Sequence, residues 1–292
     1  MLSLARILLP VDLSDRCIGE ARYANVLAEH FGSEITLLHV LPPHIYFELE
    51  TAGARKEDRQ DLLKERSDRA KRDLDACLEN ELHERPVRRV LEEGDSAAKI
   101  VEYAHSGQFG LIMMPTHGYG PFRRLLLGSV TAKVLHDADC PVWTGVHMER
   151  GAPVESPSLH HIVCAVDLGQ QSAAVLDWAS RMAAEFKARL SLVYVVVSLD
   201  PRTEEYYVSP EWRAQMMNFA KADVEKLQST VGSHAEVHLR VGDVHKAVCN
   251  TAEDLHADLL VTGRSAMSGV TGRLPSNTYA IIRDSPCPVV SV

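Results

Sequence analysis

The chain has 292 residues, enough for two ordinary domains that each bury a core of their own. Its 46% hydrophobic and 24% charged residues are the composition of a globular protein in water, and a net charge of -9 excludes an extended basic face for a nucleic-acid backbone. No apolar run reaches the ~18 residues of a membrane span, and the opening MLSLARILLPVD lacks a basic leader with a cleavage site, so a cytoplasmic protein with no membrane partner is expected.

Apolar runs alternate with helical patterns along the whole chain, the signature of an α/β fold with a mostly parallel, doubly wound sheet. The first half predicts five strands: Arg6 to Pro10, Glu34 to Val40, about Val87 to Leu91, Gly110 to Met114, and Val142 to Val146. A helix is predicted from about Arg55 to Leu82, with Leu63, Ala70, Leu74, Cys77 and Leu78 as its apolar stripe and its charges as a solvated face. Gly94-Asp95 reads as a turn and helix start. A polar segment with Pro153, Ser156, Pro157 and Ser158 then divides the chain into domains at 1–147 and 159–292, with 148–158 as linker.

The second half repeats the first. Arg6-Ile7-Leu8-Leu9-Pro10-Val11-Asp12 returns as His161-Ile162-Val163-Cys164-Ala165-Val166-Asp167, Gly94-Asp95 as Gly242-Asp243, and Cys140-Pro141-Val142 as Cys287-Pro288-Val289. Its long helix is predicted to bury Trp212, Met216, Phe219, Ala220 and Leu227. Two open-sheet domains of five strands each are expected. The six cysteines include no CxxC pair and fit reduced thiols. The fourteen histidines join no set of acidic or thiol ligands, so no metal site is expected.

Chemistry concentrates between Leu111 and Ser129, LIMMPTHGYGPFRRLLLGS. An apolar strand turns at Pro115, Gly118 and Gly120 follow, then Arg123-Arg124, and Gly128-Ser129 opens a helix on which Val130, Val134 and Leu135 recur. Glycines let backbone N–H groups crowd an anion, and a helix N-terminus adds aligned dipoles, so both ends of this loop suit phosphate. Gly118-Tyr119-Gly120 is not a Rossmann fingerprint, since it follows the fourth strand and Arg123 stands at its third glycine. Arg123 and Arg124 either reach phosphates or solvate the loop, and His117 reads as a hydrogen-bonding wall rather than a catalyst.

Together, Asp12 and Val40 at strand ends, Gly94-Asp95, Pro115-Thr116-His117-Gly118 and Gly128-Ser129 resemble the universal stress protein family in two tandem copies. Its nucleotide motif is Gly, two residues, Gly, nine residues, Gly, then Ser or Thr. The resemblance implies the adenine nucleotide alpha hydrolase-like fold and ATP as ligand, with any Mg²⁺ held mainly by phosphate oxygens and water. It implies a site of Pro10, Val11, Asp12, Val40, Met114, Pro115, His117, Gly118, Gly128, Ser129, Val130 and Thr131, the first four on adenosine and Gly118, Gly128, Ser129 and Val130 on phosphate. Asp12 has a competing reading as a helix cap, although Ser14 is better placed for that. Pro115 departs from the motif: it has no N–H where the family has glycine.

In the second copy Gly263, Ala266, Ser276 and Asn277 are matched to the motif, so this domain is expected to be a degenerate site. Glycine at 128 is expected to serve a positive φ. Neither a Walker lysine nor a kinase set nor a nucleophile elbow is present, and no residue is assigned to catalysis. The expected function is a stress-response, regulatory protein that binds ATP in its N-terminal domain and meets an unidentified protein partner. The alternatives are a nucleotide-free interaction or chaperone-like module, or a slow ATPase. The family resemblance also implies that the strands after Cys140 and Cys287 pair as an intramolecular pseudo-dimer, with a homodimer not required.

Overall fold

The structure, a computed structural model, describes residues 4–43, 56–83, 85–116, 127–145, 157–196, 210–264 and 276–292. Two compact units emerge, one built mainly on Ser3–Trp143 and the other mainly on Ser158–Val292.

In the first, β1 (Arg6–Pro10) leads through a 3-10 turn (Asp15–Cys17) into α1 (Ile18–Phe31) and β2 (Glu34–Leu41). Then come α2 (Lys56–Ala76), α3 (Glu79–Leu82), β3 (Val87–Glu93), α4 (Ser96–Ser106), β4 (Leu111–Pro115), α5 (Ser129–Asp137) and β5 (Val142–Gly145). The strands lie in the order β3-β2-β1-β4-β5, and β1 pairs parallel with both β2 and β4. Helices cover both faces of such a sheet, so its central strands can be apolar throughout. Accordingly Ile7, Leu8, Leu111 and Ile112 are fully buried. Strand order reverses at β1, because the chain leaves it for β2 on one side and returns to β4 on the other. Connections diverge there and leave a crevice beyond the carboxyl ends of the strands.

The single helix expected over residues 55–82 is broken. α2 stops at Ala76, Leu78 takes φ 55°, and α3 resumes at Glu79. Arg89 of β3 holds the break, donating Nε to the Leu74 carbonyl at 3.1 Å and Nη2 to that of Cys77 at 3.1 Å. Both carbonyls lie at the C-terminal end of α2, and that of Leu74 also accepts the Cys77 N–H at 3.2 Å. Leu74, Leu78 and Leu82 are all buried, so the apolar pattern runs straight through the interruption.

The second unit repeats this plan with β6 (His161–Val166), α6 (Ser172–Phe186), β7 (Arg189–Val196), α7 (Pro210–Val231), β8 (Glu236–Val241), α8 (Val244–Asp254), β9 (Leu259–Thr262), α9 (Ser276–Asp284) and β10 (Val289–Ser291). Its order, β8-β7-β6-β9-β10, is that of the first unit strand for strand, and its pairs are parallel. The stripe expected on α7 is corrected at one place: Phe219 is 55% exposed, while Ala220 and Val224 are buried. Positions 216, 220, 224 and 227 follow the helical repeat, and Phe219 falls on the flank of that stripe. The side chain of Trp212 lies outside the described residues. His161, in contrast, is a core histidine, with Nδ1 on the Leu255 carbonyl and Nε2 on Ser191 Oγ, both at 2.9 Å.

Candidate functional site

At the end of β1 the chain turns through Asp12 and Leu13, and Leu13 sits at φ 63°. A left-handed conformation costs an L-residue about 1–2 kcal/mol, so something fixes this turn. Asp12 Oδ1 accepts the Ser14 N–H at 3.0 Å, the Ser14 hydroxyl at 2.5 Å and the Cys17 thiol at 3.6 Å. Burial pushes the Cys17 thiol pKa up, so it stays protonated and able to donate. Asp12 Oδ2 is buried and has no hydrogen-bond partner among the described residues. Asp12 caps no helix: the residue before the 3-10 turn is Ser14, the one before α1 is Cys17, and neither makes a side-chain cap bond.

Beside this turn stand the last residues of β2. Val40 is 8% exposed, and His39 Nδ1 lies 2.8 Å from the Val11 carbonyl. A carbonyl only accepts, so Nδ1 carries the proton.

Across the crevice, α5 is locked onto β4. Thr131 donates its hydroxyl to the Pro115 carbonyl at 3.0 Å, and the Gly128 N–H donates to the Thr116 carbonyl at 2.8 Å. Gly128 has φ -58° and ψ 141°. The expected positive φ is therefore corrected: any residue adopts this backbone, and the amide of Gly128 closes the loop instead of facing outward. The amides of Ser129, Val130 and Thr131 form the first turn of α5, where no preceding carbonyl of the helix reaches them. From the third side, Asp95 caps α4 by accepting the Ala98 N–H at 2.9 Å, as the turn-and-helix-start reading requires.

These elements enclose a cavity of about 200 Å³. Pro10, Val11, Asp12, Val40, Met114, Pro115, Gly128, Ser129, Val130 and Thr131 all line it, so residues read from four separate stretches meet at one place. His117 and Gly118 lie outside the described residues, as do Gly120, Arg123 and Arg124. Four lining residues escaped the sequence reading: Leu38, His39, Ser96 and Ile100. His39 is a polar residue inside an apolar strand next to Val40, and that signal was available.

The cavity is polarised. A carboxylate oxygen without a partner among the described residues and the positive end of α5 both border it, and Val40, Ile100 and Met114 add apolar lining. Such a site fits a molecule that combines a hydrogen-bond donor, an apolar part and an anion.

A second cavity, of about 260 Å³, stands at the same place in the second unit. Here the sequence match to the motif needs correction. Leu260 donates to the Pro288 carbonyl as Ile112 does to that of Pro141, and Ser285 donates to Ile281 as Ala138 does to Val134. The second copy therefore has one residue fewer between its fourth strand and fourth long helix. Ser276 falls opposite Ser129, Asn277 opposite Val130 and Pro275 opposite Gly128. Serine is retained at the helix start, while in sequence Ala266 stands for the second glycine and Pro275 for the last. Among the described residues no group of three or more His, Cys, Asp or Glu side chains is arranged to hold a metal, and no helix is long and apolar enough to cross a membrane.

Comparison with known proteins matches residues 4–144 and 158–292, each separately, to the Universal stress protein family. A universal stress protein of Methanocaldococcus jannaschii is 31% identical over 140 residues, 47% of this chain and 79% of that one. One from Mycolicibacterium smegmatis is 26% identical over 296 residues, covering 98% of this chain and 96% of its own. Among solved structures, a universal stress protein from Archaeoglobus fulgidus superposes with a TM-score of 0.66 at 22% identity, over 99% of this chain and 96% of that one.

Proposed function

The chain belongs to the universal stress protein family, and we propose that it is a regulatory protein that binds ATP in its N-terminal domain. The observation that carries this reading is the polarity of the first cavity. Asp12 Oδ2 is buried without a partner among the described residues, and the first turn of α5 lines the same cavity. Leaving a buried acceptor unsatisfied costs about 1–3 kcal/mol, and a donor on the adenosine moiety relieves that cost. The phosphates then lie against the amides of Ser129, Val130 and Thr131 and the Ser129 hydroxyl, with Mg²⁺ held by phosphate oxygens and water.

Binding, rather than turnover, is what the site supports. Thr131 already donates to Pro115, and His39 already donates to Val11. No described lining residue joins a nucleophile to a base. Occupancy of the cavity then acts as a signal, changing how this domain meets a protein partner, with hydrolysis at most slow.

The direct test is to purify the chain, release any bound nucleotide by heat and identify it by chromatography. ATP or its hydrolysis product in close to one equivalent is the expected result. A nucleotide-free chain that also takes up no ATP when it is added would favour an interaction module whose site Pro115 has disabled.

A further inference from the structure

A nucleoside triphosphate is strongly anionic, yet the first cavity offers it no lysine or arginine among the described lining residues. The full charge those residues do bring is the Asp12 carboxylate, which is negative. Against it the N-terminus of α5 sets only about half an elementary charge of the favourable sign. Of the described lining residues, His39 alone can become a cation.

Its geometry suits that change of charge. Pro10 pairs with Leu38, so His39 stands where β1 ends, and its Nδ1–H donates to the Val11 carbonyl at 2.8 Å. That bond forms whether the ring is neutral or charged, because Nδ1 carries a proton in both states. Nε2 has no hydrogen-bond partner among the described residues. The ring can therefore gain a proton at Nε2 without losing the contact that positions it. The charged groups around it are already engaged or neutral. Strand alternation puts His39 on the face of Leu37 and Leu41, whose partners in β3 are Arg89 and Glu93. Arg89 is committed to the Leu74 and Cys77 carbonyls, and Arg66 of α2 to that of Pro42 at 3.3 Å. Burial pushes the Cys77 thiol up to about 11, so it stays uncharged. α1 contributes the buried Glu20, which shares the surroundings of Cys17. From α4 and α5 the cavity receives Ser96, Ile100, Ser129, Val130 and Thr131, none of which ionises.

We propose that His39 is a further ligand-binding residue of the first cavity, and that it takes up a proton as the nucleotide enters. Occupancy is thereby linked to pH. The charged ring attracts the anion, so the bound state favours the protonated form, and binding tightens as pH falls through the range of about 8 to 5 in which histidine side chains titrate. The repeat puts Tyr194 at this position in the second unit, and a tyrosine cannot become a cation, so the linkage belongs to the first cavity. The identity of the ligand rests on the ATP reading of that cavity; the proton uptake requires only an anion in it.

The test is calorimetric titration of the full-length chain with ATP at about pH 8 and about pH 6, in the wild type and in His39→Gln, with circular dichroism to check that both stay folded. Protonation of ATP itself is common to the two proteins and cancels from the ratio of their affinities. That ratio is expected to move in favour of the wild type by about fivefold or more on going to the lower pH, the effect of one added charge near the anion. A ratio that does not change with pH would reduce His39 to a wall and overturns the proposal, as does a variant that binds as tightly as the wild type at the lower pH. If His39→Gln does not fold, His39→Tyr takes its place. A chain that takes no ATP at either pH would fail the nucleotide reading, and the same titrations with inorganic pyrophosphate then read His39 by itself. There too, an absence of binding or a ratio unmoved by pH overturns the proposal.

Discussion

Asp12 is the residue on which the proposed site turns. Its Oδ1 is fully occupied by Ser14 and Cys17 while Oδ2 has no partner among the described residues. Asp12→Ala is expected to weaken ATP binding by tenfold or more, since a hydrogen bond to a charged group contributes about 1.5–3 kcal/mol. Ser129→Ala removes one hydroxyl from the phosphate end and should lower affinity to a similar degree, read by calorimetry. A second residue-scale expectation concerns His161, whose pKa burial holds below its ordinary value. The unfolded chain therefore takes up the proton first. Stability from this residue is full above about pH 6.5 and is lost as pH falls toward the lower folded value. Urea midpoints should drop between pH 7 and pH 5.5, and His161→Gln should flatten that slope; an equal slope in both proteins would remove His161 as its source. That Asp12 would face the crevice was legible from its place at a strand end. The turn that aims it was not, because it depends on a leucine at positive φ, a residue type that gives no turn signal.

Among the elements, buried parallel strands were the most legible. β1 was read at both ends and β2 and β3 at their first residues, since a strand covered on both faces writes an unbroken apolar run. The long helices were less so. The break between α2 and α3 leaves the apolar stripe in phase and is stabilised by Arg89, a residue from a distant strand. On α7 the flanking Phe219 carries the same hydrophobic signal as the core positions beside it. Two substitutions separate these cases by chemical denaturation. Leu74→Ala, at a residue 1% exposed, should destabilise by about 2–5 kcal/mol. Phe219→Ser should shift stability by no more than about 0.5 kcal/mol; a loss comparable to Leu74→Ala would mean that Phe219 is covered in solution. The motif match in the second copy was misread by one position for an equally physical reason. A one-residue shortening between β9 and α9 leaves no mark in composition, and only the hydrogen bonds that flank it set the register.

For the whole molecule, duplication has kept one architecture and let its two cavities diverge. Each unit has the same strand order, the same capped helix after its third strand and the same strained turn after its first. What differs lies at the helix start beyond the fourth strand, where Gly128 in one copy is Pro275 in the other. On the proposed reading that is the phosphate end of the crevice, so the two halves are expected to differ in how they take ATP. The most direct measurement is a calorimetric titration of the nucleotide-stripped full-length chain with ATP, beside the same titration of Asp12→Ala. One ATP per chain, with binding weakened at least tenfold in the variant, is the expected result. Two equivalent ATP sites per chain, or a folded Asp12→Ala chain that binds ATP with undiminished affinity, would contradict the placement of the nucleotide in the N-terminal cavity.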